Sequence, residues 1–114
     1  MPDLNKIYVR EGEEEPFEIE HEGETYQFAK KKITWKQMNE LLSKAVEISE
    51  KGIQIHMGRF YEEAAIAVLV RTPWEIGQTR MALKQLDPVF GKKLEKYLPR
   101  IESLIEGGDF FVGE

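Results

Sequence analysis

Residues 17–28, FEIEHEGETYQF, form two short runs of alternating apolar residues on either side of a glycine. Phe17 and Ile19 fall on one face of the first run, and Tyr26 and Phe28 fall on one face of the second. Gly23 can supply the positive φ that a tight hairpin turn needs. Because an isolated hairpin is only marginally stable in water, its apolar face must pack on another element. The stretch therefore predicts a β-hairpin that closes one side of a core.

The sequence changes from strand periodicity to helix periodicity at residue 34. Thr34 is a typical N-cap residue, and Gln37 follows it at the spacing of a capping box. Apolar or small residues then recur at helical spacing as far as Ser49, and Gly52 has the position of a C-terminal cap. The pattern predicts a first helix that begins after Thr34 and ends at Gly52.

A second helix is predicted over residues 57–71, although the run AIAVLV inside it is also compatible with a buried strand. Thr72, Pro73 and Glu75 then have the order of a helix start, with a cap, a proline in the first turn and an acid. Gly77 follows at once, so we expect only a short turn or an irregular opening here. Residues 79–86 predict a further short helix.

Asp87 and Pro88 mark the start of the last predicted helix, whose apolar stripe runs on to residue 105. Pro99 lies inside this pattern and predicts a kink. The 114 residues are of the size of one domain. The sequence thus predicts a single α+β domain in which an N-terminal β-hairpin or small antiparallel sheet precedes a three- to four-helix bundle. The hairpin region is residues 5–31, the helical region is residues 34–106, and a short tail covers residues 107–114.

Charge and composition disfavour several classes of function. The net charge is −5 and the only basic run is Lys30–Lys32, whereas nucleic-acid binding requires a basic surface. There is no cysteine, which excludes disulfides, thiol catalysis and thiolate metal sites. No apolar run approaches the roughly 20 residues of a membrane span, and the first residues lack the apolar core of a secretory leader. We therefore expect a cytoplasmic protein that binds neither nucleic acid nor membrane.

Residues that could support catalysis are few. His21 and His56 are far apart in sequence, and neither has a metal-ligand partner four residues away. Glu62 and Glu63 are a candidate acid–base pair, but adjacent helical residues diverge by about 100°, so only one could face a pocket. The glutamates around the hairpin lack the spacing of a calcium loop. We expect no enzymatic activity, no cofactor and no metal; the alternative is a small enzyme or ligand binder that uses His56 with Glu62 or Glu63.

Exposed aromatic residues are better candidates for function, as contacts with other proteins. Trp35 and Trp74 each lie at a predicted helix start, and tryptophan is enriched at the energetic centres of interfaces, although both also suit the edge of a core. The tail residues Phe110, Phe111 and Val112 follow a helix-ending Gly-Gly pair and should either fold back on the core or dock on a partner.

Four short motifs follow one another between about residues 5 and 106: GETYQF at 23–28, ITWKQMNELL at 33–42, VLVRTPW at 68–74 and LKQLDPVFGKKL at 83–94. These motifs and the order of elements resemble those of the phage tail assembly chaperones, small acidic proteins of tailed phages and proviruses. The resemblance implies a non-enzymatic protein that binds the long, aggregation-prone tape-measure protein, with no catalytic residues. The free edge of the hairpin would then pair with this client or with another copy. The alternative is a homo-oligomeric structural or regulatory module without a client.

Overall fold

A computed structural model describes residues 2–10 and 12–100 of the chain. Its regular elements are β1 (Glu14–His21), β2 (Glu24–Lys31), α1 (Trp35–Ala45), β3 (Val46–Ser49), β4 (Gly52–Ile55), α2 (Met57–Val68), β5 (Leu69–Arg71), α3 (Thr79–Leu83) and α4 (Pro88–Glu95). Short 3₁₀ turns lie at Leu4–Ile7 and Ile76–Gln78. Antiparallel sheets and helices occur in the same chain, so the predicted α+β class is confirmed.

The predicted N-terminal hairpin is present as β1 and β2. Phe17 lies opposite Phe28 and Ile19 lies opposite Tyr26, so the apolar residues share one face. The turn places Glu22 at φ 50° and Gly23 at φ 84°, which is the double positive φ of a type I′ hairpin turn. Strand β5 pairs with the other edge of β2, giving a three-stranded sheet in the order β1-β2-β5.

Helix α1 begins directly after Thr34, as the capping-box pattern predicts. The Thr34 hydroxyl accepts a hydrogen bond from the Gln37 amide N–H at 3.1 Å, and the Gln37 side chain accepts one from the Thr34 N–H at 2.9 Å. Each bond satisfies an N–H group that the first helical turn leaves unpaired. Asp87 starts α4 in a related way, because its carboxylate accepts from the N–H groups of Val89 and Phe90.

Several predicted helix boundaries were wrong. Helix α2 ends at Val68 rather than at residue 71, and α3 ends at Leu83 rather than at residue 86. Helix α1 ends at Ala45 rather than at Gly52, and the residues that follow form the hairpin β3–β4.

The segment after Thr72 forms the short 3₁₀ turn Ile76–Gln78, but its N-cap is Glu75 and not Thr72, whose hydroxyl donates to the Trp74 carbonyl at 2.6 Å. Among the described residues helix α4 ends at Glu95, because Pro99 has no N–H to donate and its ring clashes with a helical carbonyl four residues earlier. The predicted continuation of the stripe over residues 101–105 lies outside the described residues.

The core lies between the apolar face of the three-stranded sheet and the helices. Phe28 and Phe60 are its largest fully buried side chains. The Tyr97 ring, just after α4, stacks on Phe17 with ring centres 4.2 Å apart, and Lys30 donates a hydrogen bond to the Tyr97 carbonyl at 2.8 Å. These contacts fix the end of the described chain against the N-terminal hairpin.

Candidate protein-interaction surface

The hairpin β3–β4 has one wholly apolar face. In its register Val46 lies opposite Ile55 and Ile48 lies opposite Ile53. Because side chains alternate across a strand, these four aliphatic residues point to the same side of the hairpin. We call this set, Val46, Ile48, Ile53 and Ile55, the apolar hairpin face.

The outer half of the apolar hairpin face is open to solvent. Ile48 is 77% exposed and Ile53 is 61% exposed, whereas Val46 and Ile55 at the base are half-buried. Ile55 packs against the core and so fixes the base of the hairpin to the domain. The domain thus presents a neighbouring pair of aliphatic side chains that the described core does not cover, which makes this face a candidate interaction surface.

Contacts on the opposite, polar face hold the hairpin in shape. The His56 ring nitrogen Nε2 lies 2.8 Å from a Glu47 carboxylate oxygen, joining β3 to the residue that precedes α2. At the tip, the Ser49 hydroxyl accepts from the Lys51 N–H at 3.2 Å, and Gly52 has φ 113°, a conformation that favours glycine. The hairpin β3–β4 is therefore a formed element and not an open loop.

The predicted interaction residues divide between two environments. Trp35 is 84% exposed in the first turn of α1, at the end of that helix away from the hairpin β3–β4. Trp74 is half-buried: its ring lies edge-on to Phe28 at 5.6 Å, and its indole N–H donates to the Thr79 hydroxyl at 3.0 Å. Trp35 remains a candidate contact, whereas Trp74 supports the core. Phe110, Phe111 and Val112 lie outside the described residues.

The predicted candidates for chemistry contact different partners. His56 is paired with Glu47. His21 packs edge-on against the Phe90 ring, and its nitrogens lie 3.3 Å from Lys93 and 3.3 Å from Glu22. This second cluster connects the β1–β2 turn to the start of α4.

Glu62 and Glu63 form ion pairs that join three helices. Arg80 of α3 donates to Glu62 at 2.6 Å and to Glu63 at 3.1 Å, and Lys44 of α1 lies 3.5 Å from Glu63. Burial raises the pKa of the Glu63 carboxyl, but hydrogen bonding and attraction to Arg80, together with Lys44, outweigh this effect, and the pKa is lowered overall. Hydrogen bonds to the same carboxylates raise the pKa of Arg80.

The lowered pKa of Glu63 predicts a specific loss of stability in acid. A carboxyl with a lower pKa in the folded than in the unfolded state stabilises the fold above its ordinary pKa of 4.5, and this contribution is lost as the pH falls through the folded value. We expect Glu63→Gln to lower the free energy of unfolding at neutral pH, and the difference from the wild type to shrink as the pH is lowered below 4.5. Urea unfolding at a series of pH values measures this difference.

Glu40→Gln is the control for this experiment, because Glu40 is an exposed α1 residue without an ion pair among residues 2–10 and 12–100. Its effect should be small at every pH. A Glu63→Gln difference that stays constant from neutral to acidic pH would contradict the role assigned to the ion pairs.

Two concave regions lie elsewhere on the surface. One, of about 840 Å³, runs between the N-terminal segment and the strands, with Lys30–Lys32 and Glu13–Glu15 in its lining. The other, of about 280 Å³, lies between α2 and α4 and includes Glu62. His56 lines neither of them. Within the described residues there is no group of three or more His, Asp or Glu side chains placed to hold a metal ion.

The hairpin β3–β4, which was not predicted, does have a recognisable pattern in the sequence. The β-branched residues Val46, Ile48, Ile53 and Ile55 alternate with polar ones on both sides of Glu50-Lys51-Gly52, which is the pattern of a hairpin. Continuing the helical stripe of α1 through Val46 and Ser49 conceals this pattern, because both residues also fit the helical period.

Comparison of the chain with protein-family models, with curated proteins and with solved structures finds no match. None of the helices in the described part of the chain is long and apolar enough to cross a membrane.

Proposed function

We propose that this chain is a non-enzymatic protein-interaction protein of the cytoplasm that binds an apolar segment of a client protein on the apolar hairpin face. The observation that supports the proposal is the pair Ile48 and Ile53, which are 77% and 61% exposed side by side on a formed hairpin. A flat aliphatic surface with a polar reverse side suits the apolar stripe of an amphipathic helix.

The chemistry of the client follows from the charges around this face. The chain has a net charge of −5, and on the hairpin itself Glu47 and Glu50 outnumber Lys51. Such a surface favours a client whose apolar stripe is flanked by Lys or Arg. The resemblance to phage tail assembly chaperones supports the same proposal, since those proteins bind a long helical client during assembly. Trp35 would extend the contact to a second site on a long client.

Binding to a designed peptide tests the proposal. The probe is a fluorescein-labelled helical peptide with a leucine stripe on one face and lysines on the other, and fluorescence anisotropy measures its affinity. A scrambled peptide of the same composition, which has no stripe, controls for charge attraction. We expect the wild type to bind the striped peptide more tightly than the scrambled one.

Variants then locate the binding surface. Burial of one aliphatic side chain contributes about 1.5–3 kcal/mol, so Ile48→Glu and Ile53→Glu should each weaken binding by about tenfold or more. Val89→Glu is a matched control, because Val89 is an aliphatic residue of α4 that is 58% exposed and undergoes the same change of charge. It should bind as the wild type does.

Two results would overturn the proposal. Equal affinity of the wild type for the striped and scrambled peptides would show that no apolar client is selected. Equal affinity of Ile48→Glu, Ile53→Glu and Val89→Glu for the striped peptide would show that the hairpin is not the binding surface.

A further inference from the structure

Strand β4 differs from the other edge strands that the structure describes, because its unpaired edge carries no protecting residue. An unpaired edge exposes N–H and C=O groups that invite another strand, and proteins usually protect such edges with charged residues or proline. Strand β1 carries Pro16 and several glutamates, β3 carries Glu47, and β5 carries Arg71. Strand β4, GIQI, has neither a charged residue nor a proline.

The edge of β4 is also accessible. The strand pairs with β3 on one side, and among residues 2–10 and 12–100 no strand pairs with its other side. Gly52, Ile53 and Gln54 are exposed, and only Ile55 at the base is half-buried. A hairpin of only two strands is marginal in water, and further strands would stabilise it.

We infer that two copies of this chain join through their β4 edges in antiparallel orientation, with Gln54 opposite Gln54 of the second copy. In this register Ile53 of each copy lies opposite Ile55 of the other. A register shifted by one residue would place Ile53 opposite Gln54 and turn apolar side chains to the polar side, so it is disfavoured.

Charge and hydrogen bonding favour this pairing over the alternative through β3. Two β3 edges centred on Glu47 would place two carboxylates directly opposite each other, which is destabilising. Two Gln54 side chains are instead self-complementary, because each amide group both donates and accepts hydrogen bonds. A contact between identical edges also closes after two copies, so it gives a dimer and not a fibre.

The dimer completes the surface to which the proposed function assigns the client. A two-fold axis through Gln54, perpendicular to the sheet, keeps both apolar hairpin faces on the same side. The resulting four-stranded sheet brings together eight aliphatic side chains, namely Val46, Ile48, Ile53 and Ile55 from each copy. The pairing itself depends only on the β4 edge; only the binding of a client to the enlarged face rests on the proposed function.

A charge exchange at Gln54 tests the pairing, with light scattering coupled to size exclusion as the measurement. We expect the wild type to have twice the 13.3 kDa mass of the chain. Gln54→Lys and Gln54→Glu should each be monomeric, because each places like charges opposite one another in the dimer. An equal mixture of the two variants should regain the dimer mass, since opposite charges then meet.

Two further variants serve as controls. Thr25→Lys adds the same charge as Gln54→Lys at an exposed position of β2 and should remain dimeric. Gln54 lies opposite Glu47 within its own hairpin, so Gln54→Lys gains an attractive cross-strand pair and should keep the hairpin folded. Circular dichroism checks the folding of every variant.

The possible results separate this inference from the proposed function. A monomeric wild type, dimeric Gln54 variants or a mixture that stays monomeric would each overturn the pairing through Gln54. If the wild type is a dimer that the mixture restores but the striped peptide does not bind, the proposed function fails and the pairing stands. If the wild type is a monomer that binds the striped peptide, the pairing fails and the proposed function stands.

Discussion

Phe28→Ala should lower the free energy of unfolding by about 3–5 kcal/mol, the usual cost of removing a large aromatic side chain from a core. Phe28 is 1% exposed and lies on β2, the central strand of the three-stranded sheet. Its ring centre is 5.1 Å from that of Phe17, 5.6 Å from Trp74 and 6.2 Å from Phe90. Its removal would leave a cavity that the sheet, the loop before α3 and α4 all border.

Urea unfolding followed by circular dichroism measures this effect. A small domain has a total stability of about 5–15 kcal/mol, so the variant should lose a large fraction of it and unfold at a clearly lower urea concentration. Trp35→Ala is the control for loss of an aromatic ring: Trp35 is 84% exposed, and its removal should change the stability by about 0.5 kcal/mol or less. Equal effects of the two substitutions would contradict the placement of Phe28 at the centre of the core.

The parts of the fold that the sequence predicts correctly depend on chemistry within a few residues. The turn at Gly23 requires positive φ, and glycine tolerates it. The helix starts at Thr34 and Asp87 each use a side-chain oxygen to accept from N–H groups two or three residues away. Such interactions involve only residues that are close in sequence, so a local pattern suffices to predict them.

The parts that it does not predict depend on neighbours far along the chain. Leu69 and Arg71 form a strand because they lie beside Lys30 and Ala29 of β2, which no pattern within AIAVLV specifies. The residues after Ala45 fit the helical period and the strand period equally well. Pairing with residues 52–55 decides between the two, and that pairing becomes visible only when both segments are read together.

The solvent exposure of a side chain also depends on neighbours far along the chain, so the sequence does not predict the interaction surface. Trp35 and Trp74 have similar positions at predicted helix starts, yet one is open to solvent and the other lies against Phe28 and Thr79. Residue type cannot separate these outcomes, because tryptophan suits both cores and interfaces. Ile48 and Ile53 become candidates only when the hairpin places them side by side on a face that the core leaves open.

Ala64→Leu should lower the free energy of unfolding by about 1–3 kcal/mol, because a larger side chain must displace well-packed neighbours. Helix α1 packs on α2, and Ala45, Ala64 and Ala65 on these helices are all 0% exposed. Side chains this small at full burial indicate that the two helix backbones approach closely. A leucine at position 64 would therefore push the helices apart or force strained rotamers.

Asn39→Leu provides the control, because Asn39 is an exposed residue of α1 and the substitution adds a leucine where no packing opposes it. It should leave the urea midpoint nearly unchanged, whereas Ala64→Leu should lower the midpoint and alter the near-ultraviolet circular dichroism of the aromatic core. A neutral or stabilising Ala64→Leu would mean that the space between α1 and α2 is wider than their small side chains require. In that case the base from which the β3–β4 hairpin projects would be loosely packed, and the hairpin would owe its position mainly to Ile55 and to the contact between Glu47 and His56.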